Sequence, residues 1–299
     1  YFLQADKELA HSEFELMKVG DDDYSSIEEY LDYSVSEFGK IAFNGNIFSV
    51  KEYKSLSESM GSRTLVSDVD YISKLWNDRP NFPDNNVWVL ADQYSGESAK
   101  SKLSRVRDVM KKNDYDYYFI GAVEDICWLL NIRGNDIDYN PVVLSYMLIS
   151  HDKAYLLIDS DKLNGEVKDY LAENNIKVHS YDYIFTLLKN IPGKNRIFLD
   201  PERTNVAIYD SISANVKIST GRNITTDMKA IKNKIEIKNT KDAYIIDGVT
   251  LVKFFNWLEI GASTGTLNEY VASKKLHELR AENESFVEDS FESIIGYKD

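Results

Sequence analysis

Two stretches of this chain repeat each other. Ile41, Val50, Tyr53, Ser55, Ser57 and Thr64 recur at one constant offset as Ile197, Val206, Tyr209, Ser211, Ser213 and Thr220. Both stretches read as a strand, a helix with a central Tyr, and a second strand. With a slip of two residues, Tyr1 and Leu3 fall on Tyr155 and Leu157. Ordered self-similarity marks copies of one supersecondary unit, and alternating strands and helices build a layered α/β domain. The repeat therefore predicts two related α/β domains in tandem. The competing explanation is chance agreement between generic α/β segments, which share element spacing.

Local signals place the elements. Tyr1–Leu3 and Phe14–Val19 read as strands, Ser25 or Ser26 caps a helix from Ile27 to about Phe38, and Lys40–Phe43 is a strand. Ser49 opens a helix through Met60, Thr64–Ser67 is a strand, and a short helix over Tyr71–Trp76 ends before Pro80. Pro80, Pro83 and the run Asp84-Asn85-Asn86 mark irregular chain. The expected division is a first domain over 1–78, a linker over 79–97, a second domain over 98–227, and the start of a third over 228–299. From Lys229, Ile245, Ile246, Val249, Val252, Phe255 and Leu258 follow helical spacing and predict one long amphipathic helix. Gly261 and Gly265 break it. A helix over 267–280 follows, and Phe286–Ile295 begins strand-like structure. The first copy lacks the elements that precede the second, which leaves Tyr1–Leu3 as an uncovered edge strand. The expectation is a piece of a longer protein that stops within its third domain, at Gly296–Asp299.

The stretch from Trp128 to Ile149 joins the two kinds of signal. Ile126, Leu129 and Leu130 form one helical face, and Gly134 supplies the positive φ that commonly ends a helix. Asn140 precedes Pro141 and is pushed to extended geometry. Val142–Ile149 is an apolar run of strand length, suited to a strand buried on both faces. Arg133, Asp136, Asp138, Tyr139 and Asn140 therefore project from a loop held between a packed helix and a core strand, the setting in which loops carry function. The alternative is purely local: Arg133 with Asp136 or Asp138 caps the helix and pairs nearby.

Charge and composition exclude several classes. A formal net charge of −14 opposes general attraction to phosphate backbones or anionic lipid, though it permits a local basic patch. Neither nucleic acid nor membrane is an expected partner. The single cysteine, Cys127, forbids an intrachain disulfide; on an apolar helix it reads as an inert buried thiol in a reducing, cytoplasmic setting. His11, His151, His179 and His277 lack metal-ligand spacing. The Asp21-Asp22-Asp23 run and the Asp136/Asp138 pair lack the calcium-loop pattern. No phosphate loop or nucleophile elbow is present.

Several stretches together carry a resemblance: YFLQADKELAHSEFELMKVG, DYISKLWNDRP, WLLNIRGNDIDYNPVVLSY, KAIKNKIEI and LRAENESFVEDSFESIIGY. In this order they resemble the long, three-domain form of Xaa-Pro aminopeptidase (aminopeptidase P), over essentially the whole chain. The resemblance implies two tandem creatinase-N-terminal-like α/β domains, each a mixed sheet with flanking helices, followed by the first helices of an α+β pita-bread domain. It implies metal-dependent removal of the N-terminal residue from peptides with proline second, in a cytoplasmic homodimer. Two divalent ions, usually manganese, are held in that family by two Asp, one His and two Glu of the catalytic domain. Those ligands are expected beyond Asp299, and none of residues 1–299 is expected to be catalytic. An Asp-Gly-Arg that precedes the matching start in the family is also missing. Arg133, Asp136, Asp138, Tyr139 and Asn140 are then expected to form a loop at the substrate mouth or an interface. Prolidase and creatinase share the architecture, but the RGNDIDYNP stretch favours the long aminopeptidase. A pita-bread homologue without metal, acting as a peptide- or protein-binding module, would look the same in this portion.

Overall fold

The computed structural model describes residues 1–263, 265 and 267–297. Lys298 and Asp299, part of the expected interruption, lie outside the described residues. The chain forms two compact units, Tyr1–Pro80 with Pro201–Ile212, and Asn81–Asp200 with Ser213–Asp299.

The first unit opens with α1 (Phe2–Leu9) and α2 (Ile27–Ser34), followed by β1 (Lys40–Ala42), α3 (Val50–Ser59), β2 (Thr64–Val66) and α4 (Ile72–Leu75). Both α2 and α3 start in a capping box. Ser26 accepts from the Glu29 N–H and Ser49 from the Glu52 N–H, while each Glu accepts from its cap residue's N–H. That reciprocal pairing satisfies two donors the helix itself cannot. β1 and β2 pair in parallel, Ile41 opposite Leu65, and Ile41, Leu56 and Met60 form the core. Arg63 pins α2 to this core by donating to the Val35 carbonyl at 2.7 Å and to Asp32 Oδ1 at 2.8 Å.

The opening of the chain corrects the sequence reading. Phe2 and Leu3 are helical, with Tyr1 as the N-cap, because the Ala5 N–H bonds the Tyr1 carbonyl and FLQADKEL is rich in helix formers. Residues 14–19 are not a strand either: β1 and β2 are the only strands of this unit among the described residues, so this segment has no ladder to join.

Residues 201–212, which the sequence division places in the second domain, pack with the first unit through the helix Val206–Ser211. The repeat accounts for this contact. Val206 and Val50, equivalent in the two copies, are both fully buried. The Val50 N–H donates to the Thr204 carbonyl at 2.9 Å and the Val206 N–H to the Phe48 carbonyl at 2.9 Å. The equivalent helix starts thus bond each other reciprocally.

The second unit runs through β3 (Trp88–Val89), α5 (Asp92–Ser95), α6 (Ala99–Lys112), β4 (Tyr117–Ile120), α7 (Val123–Leu130), β5 (Ile132–Arg133), β6 (Tyr146–Ser150) and β7 (Ala154–Leu157). It continues with a 3-10 turn at Ser160–Lys162, then α8 (Gly165–Glu173), β8 (Ile176–His179), α9 (Tyr183–Lys189) and β9 (Arg196–Leu199). After α10 (Val206–Ser211) come β10 (Lys217–Thr220), α11 (Ile224–Ala230), α12 (Lys234–Ala262) and α13 (Glu269–Ala281). Six strands form one mixed sheet in the order β10-β9-β4-β6-β7-β8. β6 pairs antiparallel with both β4 and β7, and the outer pairs are parallel. Leu103, Val106 and Met110 of α6, the apolar face of α7, and Val167 and Leu171 of α8 pack on Tyr118, Ile120, Met147, Ile149 and Leu156. Phe119 and Leu148, pointing the other way by strand alternation, are buried as well. Both copies of the repeat are therefore parallel strand–helix–strand units, β1–α3–β2 and β9–α10–β10.

Four further expectations are revised. α7 ends at Asn131, which takes the left-handed conformation at φ 52°, and not at Gly134. Gly134 is required for space: an added Cβ would lie 3.2 Å from Val143 Cβ and 3.3 Å from the Val142 carbonyl oxygen. The apolar run 142–149 is a strand only from Tyr146, because the backbone of 142–144 bonds the loop before it. The Asp136 N–H donates to the Val142 carbonyl, and the Leu144 N–H donates to Asp136 Oδ2 at 2.7 Å. The long helix starts at a capping box of Asn233 with Glu236, after the separate α11. Its packed side is Leu251, Phe254, Trp257 and Leu258 against Ala272, Leu276 and Leu279 of α13. Ile245, Ile246, Val249, Val252 and Phe255 are exposed. No strand forms over 286–295 among the described residues; Ile295 instead packs on the α12–α13 cluster.

Candidate functional site

The five residues singled out around the Arg-Gly pair fall into three settings within the second unit. Arg133 lies on the two-residue ribbon that β5 makes with β3, opposite Trp88. Its Nη1 donates to the Cys127 carbonyl at 2.9 Å and the Ile132 carbonyl at 2.8 Å, closing the open end of α7. Burial lowers its pKa, with only partial compensation from neighbouring groups. Asp136 is buried and pairs with Lys162, Nζ to Oδ2 at 2.7 Å, with both side chains out of water. Its Oδ1 has no hydrogen-bond partner. Asp138, Tyr139 and Asn140 form the exposed tip, where Ile137 bridges Asn140 and Tyr139 adopts φ 63°. Positive φ in a bulky residue costs energy unless surrounding bonds impose it. Here the Asn140 N–H donates to the Ile137 carbonyl and Asn140 Nδ2 to the Asp138 carbonyl.

Arg133 also lines a cavity of about 310 Å³ with Tyr94, Lys102, Trp128, Asn131 and Glu236. Sequence reading missed Lys102. It sits on the buried stripe of α6, three residues after Ala99 and four before Val106, and a lysine on such a stripe was the available signal. Its ammonium donates to the Trp128 carbonyl at 2.8 Å and to Asn131 Oδ1 at 2.7 Å, and lies 4.5 Å from the Trp128 ring centroid. Burial pulls its pKa down to about 8, against the raising influence of Glu236, Glu97 and Asp92. Asn131 in turn donates to the Glu97 carbonyl at 2.8 Å. Glu236 holds the cap of α12 and accepts from the Trp128 indole at 3.4 Å. Asn233 Nδ2 donates to the Ser95 carbonyl at 2.8 Å. Gly96, at φ 69°, admits this contact, since a Cβ there would meet Asn233 Oδ1 at 2.4 Å.

A second buried network fixes α11. Asp125 is fully buried, accepts from the Thr225 hydroxyl at 2.9 Å and lies 2.6 Å from Lys229 Nζ. The Tyr118 phenol meets Thr225 Oγ1 at 2.9 Å and donates to Asn223 Oδ1 at 3.1 Å. Burial drives that phenol's pKa upward.

Cys127 and His277 are also singled out by the sequence. Cys127 is buried, and desolvation raises its thiol pKa to about 11. His277 Nδ1 lies 2.8 Å from Asp289 Oδ2, so this surface histidine has a carboxylate partner. Among the described residues no group of three or more His, Cys, Asp or Glu side chains is gathered to hold a metal ion, and the described residues do not fit a dinuclear metal centre. No helix among them is long and apolar enough to cross a membrane. Among the described residues the geometry provides a cavity lined by Lys102 and Arg133 and an exposed loop tip.

Comparison with known proteins assigns this architecture. Residues 78–236 match the family model of the creatinase/prolidase N-terminal domain, which covers more than half of the chain. The chain belongs to this creatinase/prolidase N-terminal-domain family. Its similarity extends further, to Xaa-Pro aminopeptidases. Xaa-Pro aminopeptidase 1 of Dictyostelium discoideum is 32% identical over 98% of this chain and 49% of its own length. A probable Xaa-Pro aminopeptidase P of Pyricularia oryzae is 33% identical over 98% of this chain and 50% of its own. An X-prolyl aminopeptidase of Caenorhabditis elegans, described as a cytosolic enzyme with a di-nuclear active site, superposes with a TM-score of 0.88 at 27% identity, over 97% of this chain and 49% of that one. The chain spans about half the length of the curated relatives it matches.

Proposed function

We propose that this chain is the supporting portion of a cytoplasmic Xaa-Pro aminopeptidase, which removes the N-terminal residue from peptides with proline second. The carrying observation is likeness over nearly the whole chain to proteins of that description, about twice as long. Two divalent metal ions, manganese by the family resemblance, would be bound by residues beyond Asp299. The exposed apolar side of α12, from Ile245 to Phe255, would be covered by that following region. An exposed apolar surface of this extent on a globular protein marks an interaction site.

In this reading Asp138, Tyr139 and Asn140 form the part of the loop presented to a peptide substrate or to the second subunit of a homodimer. Asp136 and Arg133 hold that tip in place from beneath. The experiment is a kinetic comparison in a protein carrying this chain together with the following region. Replacing Asp138 and Tyr139 with Ala is expected to change KM for longer peptides or weaken dimerisation, while Xaa-Pro selectivity stays. Unchanged kinetics at every peptide length, with unchanged dimerisation, would remove the loop assignment. A protein that binds such peptides but never cleaves them would instead be the metal-free binding module.

A further inference from the structure

A separate cleft in the second unit gathers positive charge in a chain that is strongly negative overall. It measures about 560 Å³ and is lined by Lys100, Leu103 and Arg107 of α6, Asp152 and Lys153 of the β6–β7 turn, Ala172, Asn174 and Asn175 at the end of α8, and Ile176 and Lys177 of β8. The fold brings these together. Positions 100, 103 and 107 form one helical stripe, and β7 pairs in parallel with β8 so that Ala154 lies opposite Ile176. That register sets Lys153 and Asn175 at the same end of the sheet.

Four cations thus face one carboxylate, in a protein whose net charge is −14. Asp152 Oδ1 accepts from the Ser150 hydroxyl at 2.8 Å. None of the four cations is in an ion pair within 4.0 Å among the described residues. Arg107 is half-buried and its Nε donates to the Ser150 carbonyl at 3.0 Å, which fixes the guanidinium plane. Its two Nη groups make no hydrogen bond among the described residues, and a planar fork of this kind suits phosphate oxygens. Lys177 is placed by its approach to the Tyr155 ring, 5.9 Å from the centroid.

We propose that this cleft binds a small molecule bearing two or more phosphate groups. Solvated surface lysines are common, but like charges gathered in a concave site repel, and clefts lined by one sign of charge concentrate the opposite ion. The overall charge selects a small ligand. A membrane or a nucleic acid would face the repulsion of the −14 chain along its whole surface, whereas a compact anion in the cleft meets chiefly the local cations, with more distant charges screened beyond about 10 Å.

Isothermal titration calorimetry of the full chain with inorganic tripolyphosphate at an ionic strength of about 0.1 M, where the screening length is about 10 Å, tests this. Saturable one-to-one binding is expected, weakened at least roughly tenfold in Lys153→Glu/Lys177→Glu, and less in Arg107→Gln. The control Lys7→Glu/Lys241→Glu makes the same change in net charge at exposed positions that do not line the cleft and should bind as the parent does. Circular dichroism melting checks that each variant is folded. Absence of saturable binding to the parent chain overturns the proposal. So does equal weakening in the control pair, which would make the effect one of net charge. Binding to phosphatidylserine vesicles or to a poly-glutamate peptide without binding to tripolyphosphate also overturns it.

Discussion

Lys102 and Asp136 show what it takes to hold an ionised side chain out of water. Asp136 has Lys162 and the Leu144 N–H as partners. Removing it by Asp136→Ala leaves a buried ammonium unpaired and should cost about 3–5 kcal/mol in urea unfolding, while Asp136→Leu/Lys162→Met should recover much of the loss. Lys102 has no carboxylate within 4.0 Å among the described residues. Its folded pKa of about 8 lies below the ordinary 10.5, so between these values the unfolded chain binds the extra proton and stability rises with pH. Below pH 8 both states are protonated and the full cost of burying the charge is present. Relative to Lys102→Met, the parent should therefore gain on the order of 2–3 kcal/mol between pH 8 and 10.5, measured as the difference of unfolding free energies. A flat difference across that range would contradict the burial of a charged Lys102. Asn131→Gly keeps the left-handed backbone but removes the amide that accepts from Lys102 and donates to the Glu97 carbonyl, and about 1–3 kcal/mol should be lost. Cys127, with its pKa raised to about 11, should resist iodoacetamide at pH 8 in the native state and react on unfolding, as mass spectrometry would report.

At the scale of elements, the parts legible in the sequence were those fixed by local chemistry. Ser26 and Ser49 each accept from the N–H three residues on, as their position before an apolar helical pattern predicts. The parallel strand–helix–strand copies were readable because Val50 and Val206 occupy equivalent buried positions. What the sequence hid depends on partners distant along the chain. Tyr1–Leu3 has strand composition but no strand beside it, and Phe2 and Leu3 join α1 with Tyr1 as its cap. Val142–Val143 has strand composition as well, but Asp136 takes up the backbone bonds of 142–144. The long helix displays more than one apolar stripe, and only contact with α13 decides which is buried. Asn233 joins both kinds of information, capping α12 and reaching the Ser95 carbonyl. Asn233→Ala should cost about 1–2 kcal/mol and raise amide exchange in the first turn of α12, with α13 unaffected. Protection there equal to the parent would show that the cap does not anchor the helix.

For the whole molecule, the residues that gather are those of a scaffold: buried ion pairs, helix caps, a lysine stacked on tryptophan, and a loop tip locked from below. Family likeness was legible because ordered stretches along nearly the entire chain carry it. The cavity at Lys102 and the split of the Arg133–Asn140 loop into buried and exposed halves were not, since both depend on which side chains the fold turns inward. This chain is proposed to support a reaction centre formed by other residues. Release of the first residue from a peptide with proline in second position, measured with manganese present, tests it most directly. The 299-residue chain should release none, and a protein joining it to the following region should turn the peptide over. Turnover by the chain alone, abolished by chelation and restored by metal, would contradict the claim.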